Sequence, residues 1–127
     1  MTDKAWTIVL WVLGLVYLGL GAWAAFSPAS FTEELADFGS YNPHLIHDIG
    51  SVLLTFGGAL VIAAYQPSWR TPLLAITALW NGLHAVSHLV DIDDAATRQL
   101  GVGTAALTVV TALGFAWLAR LSARSSR

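Results

Sequence analysis

The chain has 127 residues, of which 56% are hydrophobic and 11% are charged, with a formal net charge of −2. Soluble domains carry about 25% charged residues, so this composition and the mean hydropathy of +0.64 indicate an integral membrane protein. The near-neutral charge, without a basic stripe, gives no reason to expect nucleic acid. The absence of cysteine excludes disulfides, thiolate metal sites and iron–sulfur clusters.

Four apolar runs predict an all-α, four-transmembrane-helix antiparallel bundle that forms one domain over residues 1–127. The predicted spans are residues 5–26, 43–65, 72–89 and about 95–121. The first run is longer than the core of a signal peptide, about 7–15 residues, so we expect it to be retained as a span. Asp93 or Asp94 is the predicted cap of the fourth helix.

The second and third spans begin in the same way. Asn42-Pro43 and Thr71-Pro72 each place a capping side chain before a proline, which fits the first position of a helix because its missing N–H would be unpaired there anyway. We therefore predict that these two helices begin at Pro43 and Pro72.

A short interfacial helix is predicted between the first two spans, in the stretch "SFTEELADFG". Ser30 and Glu33 fit a capping box, and Gly39 can end the helix. The face shared by Phe31, Leu35 and Phe38 would contact the apolar phase. The connections "QPSWR" and "DIDDAATRQ" are short, so neighbouring spans should be antiparallel.

Basic residues predict the orientation, because they are enriched on the cytoplasmic side of membrane proteins. One side of the four-span arrangement would hold Lys4, Arg70, Arg120, Arg124 and Arg127. The other side would hold Arg98 alone. We expect a multi-pass protein of the bacterial cytoplasmic (inner) membrane with both termini in the cytoplasm.

Polar residues recur at three- and four-residue steps on the second and third spans, so each set shares a helical face. The second span carries His44, His47, Asp48, Ser51 and Thr55, and the third carries Asn81, His84, His88 and Asp91. Since the two helices should be antiparallel, all four histidines are predicted to meet near the extracytoplasmic face. The small residues Ser51, Thr55, Ala59 and Ala63 would allow close packing between these helices, with Asp48 paired to His84 or His88.

Histidine and carboxylate at helical spacing are typical ligands of Zn, Cu, Fe or Mn. We predict a transition-metal site whose core ligands are His44, Asp48, His84 and His88, with His47 as a further candidate ligand. Asn81 and Asp91 would support these ligands from outside. Whether such a site is catalytic depends on an open coordination position, which the sequence does not define.

Three other interpretations of the histidines stay open. Imidazoles from facing helices could be the axial ligands of one haem b, as in membrane cytochromes. A network of His, Asp and Asn could lock two helices together without any cofactor. Histidine near the interface could also transfer protons to a quinone. Beyond the lipid bilayer, the expected partners are further copies in a homo-oligomer or the subunits of a larger membrane complex.

The stretches "YNPHLIHDIGSVLLTFGGAL" and "HAVSHLVD" resemble small, uncharacterised four-helix bacterial proteins, many of them actinobacterial, that are similar to the DoxX group. The resemblance rests on the pattern of Asn42, Pro43, His44, Asp48 and Gly50 and on the pair His84 and His88. It implies a link to quinone-dependent sulfur oxidation or membrane redox complexes. In such proteins the position of His47 is often basic, so the resemblance favours His44 and Asp48 over His47 as ligands.

Overall fold

The computed structural model describes residues 1–125, which form helices joined by short connections. The helices are α1 (Asp3–Phe26), α2 (Pro28–Phe31), α3 (Pro43–Tyr65), α4 (Pro67–Val90) and α5 (Arg98–Ser125). A π-helical turn, Thr32–Ala36, follows α2, and a 3₁₀ turn, Ile92–Asp94, precedes α5. Helices α1, α3, α4 and α5 are each long and apolar enough to cross a membrane. The predicted all-α bundle of four spans with one short extra helix is confirmed.

The start of α3 is set by the predicted cap. Asn42 Oδ1 accepts hydrogen bonds from the backbone N–H groups of His44 and Leu45, at 3.1 and 3.3 Å. Pro43 occupies the first helical position. These contacts pair amide groups that the first turn of a helix otherwise leaves free, so the predicted boundary is confirmed.

The start of α4 was predicted incorrectly. The helix begins at Pro67, and Pro72 lies inside it. Pro67 takes the first helical position, so the helix starts a full turn earlier and tolerates the loss of one backbone hydrogen bond at Pro72. Thr71, the predicted cap, instead shares a 2.8 Å hydrogen bond with the hydroxyl of Ser122 and thereby links α4 to α5.

The fourth span begins later than predicted and has a different cap. Asp93 and Asp94 lie in the 3₁₀ turn, and α5 begins at Arg98. Thr97 Oγ1 accepts the backbone N–H of Leu100 at 3.1 Å, the hydrogen bond expected of a capping side chain. The predicted role of Asp93 or Asp94 as the cap is therefore wrong.

A short helix forms between the first two spans, as predicted, but α2 ends at Phe31, a π-helical turn follows over Thr32–Ala36, and the capping box does not form. Pro28 begins the helix, so Ser30 lies within it and accepts a hydrogen bond from Trp23 Nε1 at 3.1 Å. Ser30 is therefore unavailable to cap a helix with Glu33. Gly39 follows the helical turns with φ +121°, a backbone conformation that favours glycine.

Helices α1 and α3 pack so closely that their backbones touch. A Cβ on Gly57 would lie 2.8 Å from the backbone nitrogen of Leu18 and 2.9 Å from the carbonyl oxygen of Gly14. One heptad away, a Cβ on Gly21 would lie 3.0 Å from the Gly50 carbonyl oxygen. Small residues at such contacts allow membrane helices to gain dispersion energy at short range, so these glycines define the α1/α3 seam.

Helices α4 and α5 form a second antiparallel pair, and side chains join it to the first. Phe56 of α3 contacts Trp80 of α4, with ring centroids 5.5 Å apart. The buried core shared by the four spans includes Trp6, Leu10, Tyr17, Leu53, Leu60, Leu74 and Phe115. The lipid-facing surface is largely aliphatic and includes Val12, Leu15, Leu79, Leu83, Val110 and Leu113.

The start of α1, the start of α4 and the end of α5 lie at one end of the bundle. Arg70 and Asp3 are in contact there, and Thr71 contacts Ser122. Lys4, Arg120 and Arg124 belong to the same helical ends, whereas Arg127 lies outside the described residues. The opposite end holds the start of α3 and the end of α4, and therefore all four histidines.

We predict a modest loss of stability when Asp3 is replaced by asparagine. Arg70 Nη1 donates to Asp3 Oδ1 at 2.7 Å, and the Arg70 side chain is buried whereas that of Asp3 is exposed. Because one partner is solvated, the expected cost is at most about 1 kcal/mol in the free energy of unfolding. Thermal unfolding in detergent would measure it, with Asp93→Asn as the control. Equal stability of the two variants would contradict a stabilising ion pair.

Candidate functional site

Two histidines on α4 form the closest pair of imidazoles among the described residues. The Nε2 atoms of His84 and His88 are 3.2 Å apart, and their rings are nearly perpendicular, with an interplanar angle of 86°. Residues four apart lie above one another on a helix, which brings the two side chains together. At this distance one Nε2 donates a hydrogen bond and the other accepts it. Both Nε2 atoms could bind one ion if the proton of the donating ring moved to its Nδ1, which would free both Nε2 lone pairs.

Aromatic side chains surround this histidine pair. Trp80 stacks on His84, with centroids 5.0 Å apart and an interplanar angle of 14°. Phe38, from the segment before α3, meets the His88 ring edge to face at 5.0 Å. Phe56 of α3 in turn contacts Trp80. The imidazoles are thus half-buried in an apolar setting near the end of α4.

The second ring nitrogen of His88 is unusual. His88 Nδ1 is buried and has no hydrogen-bond partner within residues 1–125. Asp91, predicted to support the site, ends α4 with its backbone N–H bonded to the Ser87 carbonyl at 2.9 Å. An unpaired buried polar atom costs about 1–3 kcal/mol, and a bound water or ion is one way in which proteins offset that cost.

Asn81 was predicted to support the histidines, but it contacts a different part of the bundle. Its side chain is buried against α1, where Asn81 Oδ1 accepts from the Tyr17 hydroxyl at 2.9 Å. Asn81 Nδ2 lies 2.7 Å from the same hydroxyl and donates to the Thr77 carbonyl at 2.8 Å. This network therefore joins α1 to α4 in the core of the bundle.

The polar residues of α3 form a separate pair. His44 Nε2 and Asp48 Oδ2 are 3.8 Å apart, and the two side chains are 87% and 65% exposed. His47 is exposed as well. The expectation that Asp48 faces the bundle and pairs with His84 or His88 is therefore wrong.

The seam between α1 and α3 explains this arrangement. Gly50 and Gly57 are buried against α1, which fixes the rotation of α3 about its axis. The face with His44 and Asp48 is then turned outward. The topology does bring all four histidines to one end of the bundle, but as two separate pairs. In residues 1–125 no group of three or more His, Asp or Glu side chains is positioned to hold a metal ion.

Two contacts were not anticipated from the sequence, that of Phe38 with the histidine pair and that of Tyr17 with Asn81 in the core. Phe38 was assigned only to the apolar face of the short helix, and Tyr17 was not singled out. The available signal for Tyr17 was a lone phenolic hydroxyl in the middle of a span, because a buried hydroxyl needs a partner.

The fold and the site together define an integral, multi-pass membrane protein with a half-buried histidine pair at one end. No protein-family model matches the chain, and no curated protein or solved structure shows significant similarity to it.

Proposed function

We propose that this membrane protein binds a transition-metal ion through Nε2 of His84 and Nε2 of His88. The observation that carries the proposal is the 3.2 Å distance between these atoms. With metal–nitrogen bonds of about 2.0–2.1 Å, two nitrogens at that separation subtend roughly 100° at a shared ion. This angle lies between the ideal octahedral and tetrahedral values, so both rings could bind one ion with little movement.

The donor set narrows the choice of ion. Two imidazoles suit Zn, Cu or Fe, whereas Mn prefers oxygen ligands. Two histidines alone leave coordination positions for water or an external molecule, the arrangement that metal catalysis requires. The aromatic side chains of Trp80 and Phe38, which contact the two imidazoles, would limit the access of water to one side of the ion. A redox role, which the proposed resemblance to the DoxX group implies, would narrow the choice of ion to Cu or Fe.

The geometry favours a metal ion over haem b. A haem with two axial histidines binds them on opposite sides of the ring, whereas His84 and His88 lie one turn apart on the same helix.

The orientation of the protein in the membrane is also part of the proposal. Basic residues lie at the end of the bundle that holds the start of α1 and the end of α5, which favours the cytoplasmic side for that end. The histidine pair would then lie near the extracytoplasmic face of a bacterial inner membrane.

Metal analysis of the purified protein tests this proposal. We expect one bound ion per chain after incubation with Zn²⁺ or Cu²⁺ and removal of excess metal, and loss of at least tenfold in affinity for His84→Ala or His88→Ala. Metal binding should also weaken at low pH, because a protonated imidazole cannot bind a metal. The matched controls His44→Ala and His47→Ala should keep the ion.

Each other outcome identifies a different function. Loss of the ion in the His44 or His47 variants would indicate the larger predicted ligand set, which includes Asp48. A haem absorption band in the visible spectrum would select the cytochrome alternative. If the purified protein contained neither a metal ion nor haem, the proposal would be wrong. The protein would then be a cofactor-free subunit that acts through its contacts with other membrane proteins.

A further inference from the structure

One face of α3 is polar and unpartnered within the described chain. We name it the polar stripe, and it consists of His44, His47, Asp48, Ser51 and Thr55, all of them exposed. The side chains of His44 and Asp48 are 87% and 65% exposed. The other spans present aliphatic side chains to their surroundings, such as Leu83 of α4 and Leu113 of α5. The polar stripe is thus the exception on the lipid-facing surface.

The depth of the stripe makes exposure to lipid costly. At 1.5 Å per residue, Asp48, Ser51 and Thr55 lie about 8, 12 and 18 Å along the helix from Pro43. Insertion scales place the cost of a carboxylate at the centre of a membrane helix at about 2.5–3.5 kcal/mol, and less toward the interface. A helix that carries such residues is stabilised when another protein surface covers them.

Contacts within α3 satisfy the stripe only in part. The Ser51 and Thr55 hydroxyls donate to the carbonyl groups of His47 and Ser51, at 3.0 and 2.8 Å. The lone pairs of these two hydroxyl oxygens can still accept hydrogen bonds. Asp48 lies 3.8 Å from His44, which is too long for a hydrogen bond. The side chains of His44 and Asp48 can therefore still bind a partner.

We propose that the polar stripe of α3 is the interface with a second copy of this chain. The stripe carries both a carboxylate and imidazoles, so it is complementary to itself. Around a two-fold axis along the membrane normal, the two stripes lie side by side at the same depth, and Asp48 of one copy lies one helical turn, about 6 Å, from the level of His44 of the other, a step that their side chains can span. Any different partner would need its own polar residues at the same depth, whereas a second copy has them necessarily.

The backbone also permits close approach on this face. A Cβ on Gly58 would meet no atom within 4 Å, so Gly58 is open on the outside of α3. It follows Ser51 and Thr55 by seven and three residues and therefore continues the same face. Small residues in this arrangement allow two membrane helices to approach closely and to form interhelical hydrogen bonds.

Cross-linking of single-cysteine variants tests the interface directly, because the chain contains no cysteine of its own. Ser51→Cys and Thr55→Cys, treated in membranes with a short bis-maleimide, should give dimers. The controls Leu83→Cys and Leu79→Cys lie at matching depths on the exposed face of α4 and should stay monomeric. Equal cross-linking of stripe and control positions would overturn the proposal.

A second measurement separates loss of the interface from loss of the fold. Asp48→Leu removes an exposed carboxylate, so the bundle should keep its helicity and thermal stability. Native mass spectrometry of the purified protein should show the dimer for the parent chain and mainly the monomer for this variant. A monomeric parent chain, or an Asp48→Leu variant that stays dimeric, would overturn the proposal. Metal binding at His84 and His88 is scored separately and does not depend on either result.

Discussion

Replacing Gly57 with alanine is expected to destabilise the bundle by about 3 kcal/mol, the upper end of the range for overpacked cores. The added methyl group would lie 2.8 Å from the Leu18 nitrogen and 2.9 Å from the Gly14 carbonyl oxygen. Both obstacles belong to the backbone of α1, so no side chain can rotate to make room. Relief requires that α1 and α3 move apart, which weakens the contacts along the whole seam.

Thermal or denaturant unfolding in detergent, followed by circular dichroism, would measure this effect. Gly58→Ala is a matched control, because it is the adjacent residue in the same helix and its Cβ would meet no atom within 4 Å. Alanine has the higher helix propensity, so this control should be neutral or slightly stabilising. If both variants unfold at the same temperature, the seam described for α1 and α3 is incorrect.

Asn81→Leu is expected to cost about 1–3 kcal/mol in the free energy of unfolding, because it leaves the Tyr17 hydroxyl buried without a partner. Tyr17 and Asn81 are 5% and 4% exposed, so water cannot replace the lost hydrogen bonds. Interhelical hydrogen bonds in membrane proteins contribute only about 0.6 kcal/mol on average, up to about 1.7. The larger part of the expected loss is therefore the unpaired hydroxyl.

A double-mutant cycle would separate these two contributions. The double variant Tyr17→Phe/Asn81→Leu contains neither polar group, so it should be more stable than Asn81→Leu alone. Tyr17→Phe alone is the third corner of the cycle and leaves Asn81 bonded to the Thr77 carbonyl. Additive losses in the double variant would show that Tyr17 and Asn81 do not stabilise the bundle as a pair.

The sequence by itself determined the spans, the short extra helix and the pairing of His84 with His88. These features depend on local properties: the length of apolar runs, the cap at Asn42, and the four-residue period of a helix. The end of the bundle at which the histidines lie follows from the alternation of antiparallel spans. Helix starts at Pro67 and Arg98 were missed because competing prolines and acids fit the same local rules.

Only the tertiary structure decided which face of α3 packs against a neighbour. Two stripes of small residues compete on this helix, one with Gly50 and Gly57 and the other with Ser51 and Thr55. The pattern of small residues at Ser51 and Thr55 favoured the second stripe, which would have turned Asp48 toward α4. The glycine stripe packs against α1 because α1 carries Gly14 and Gly21 at the matching spacing, which lets the backbones of α1 and α3 touch. That match lies between distant parts of the chain, and the rotation of α3 follows from it.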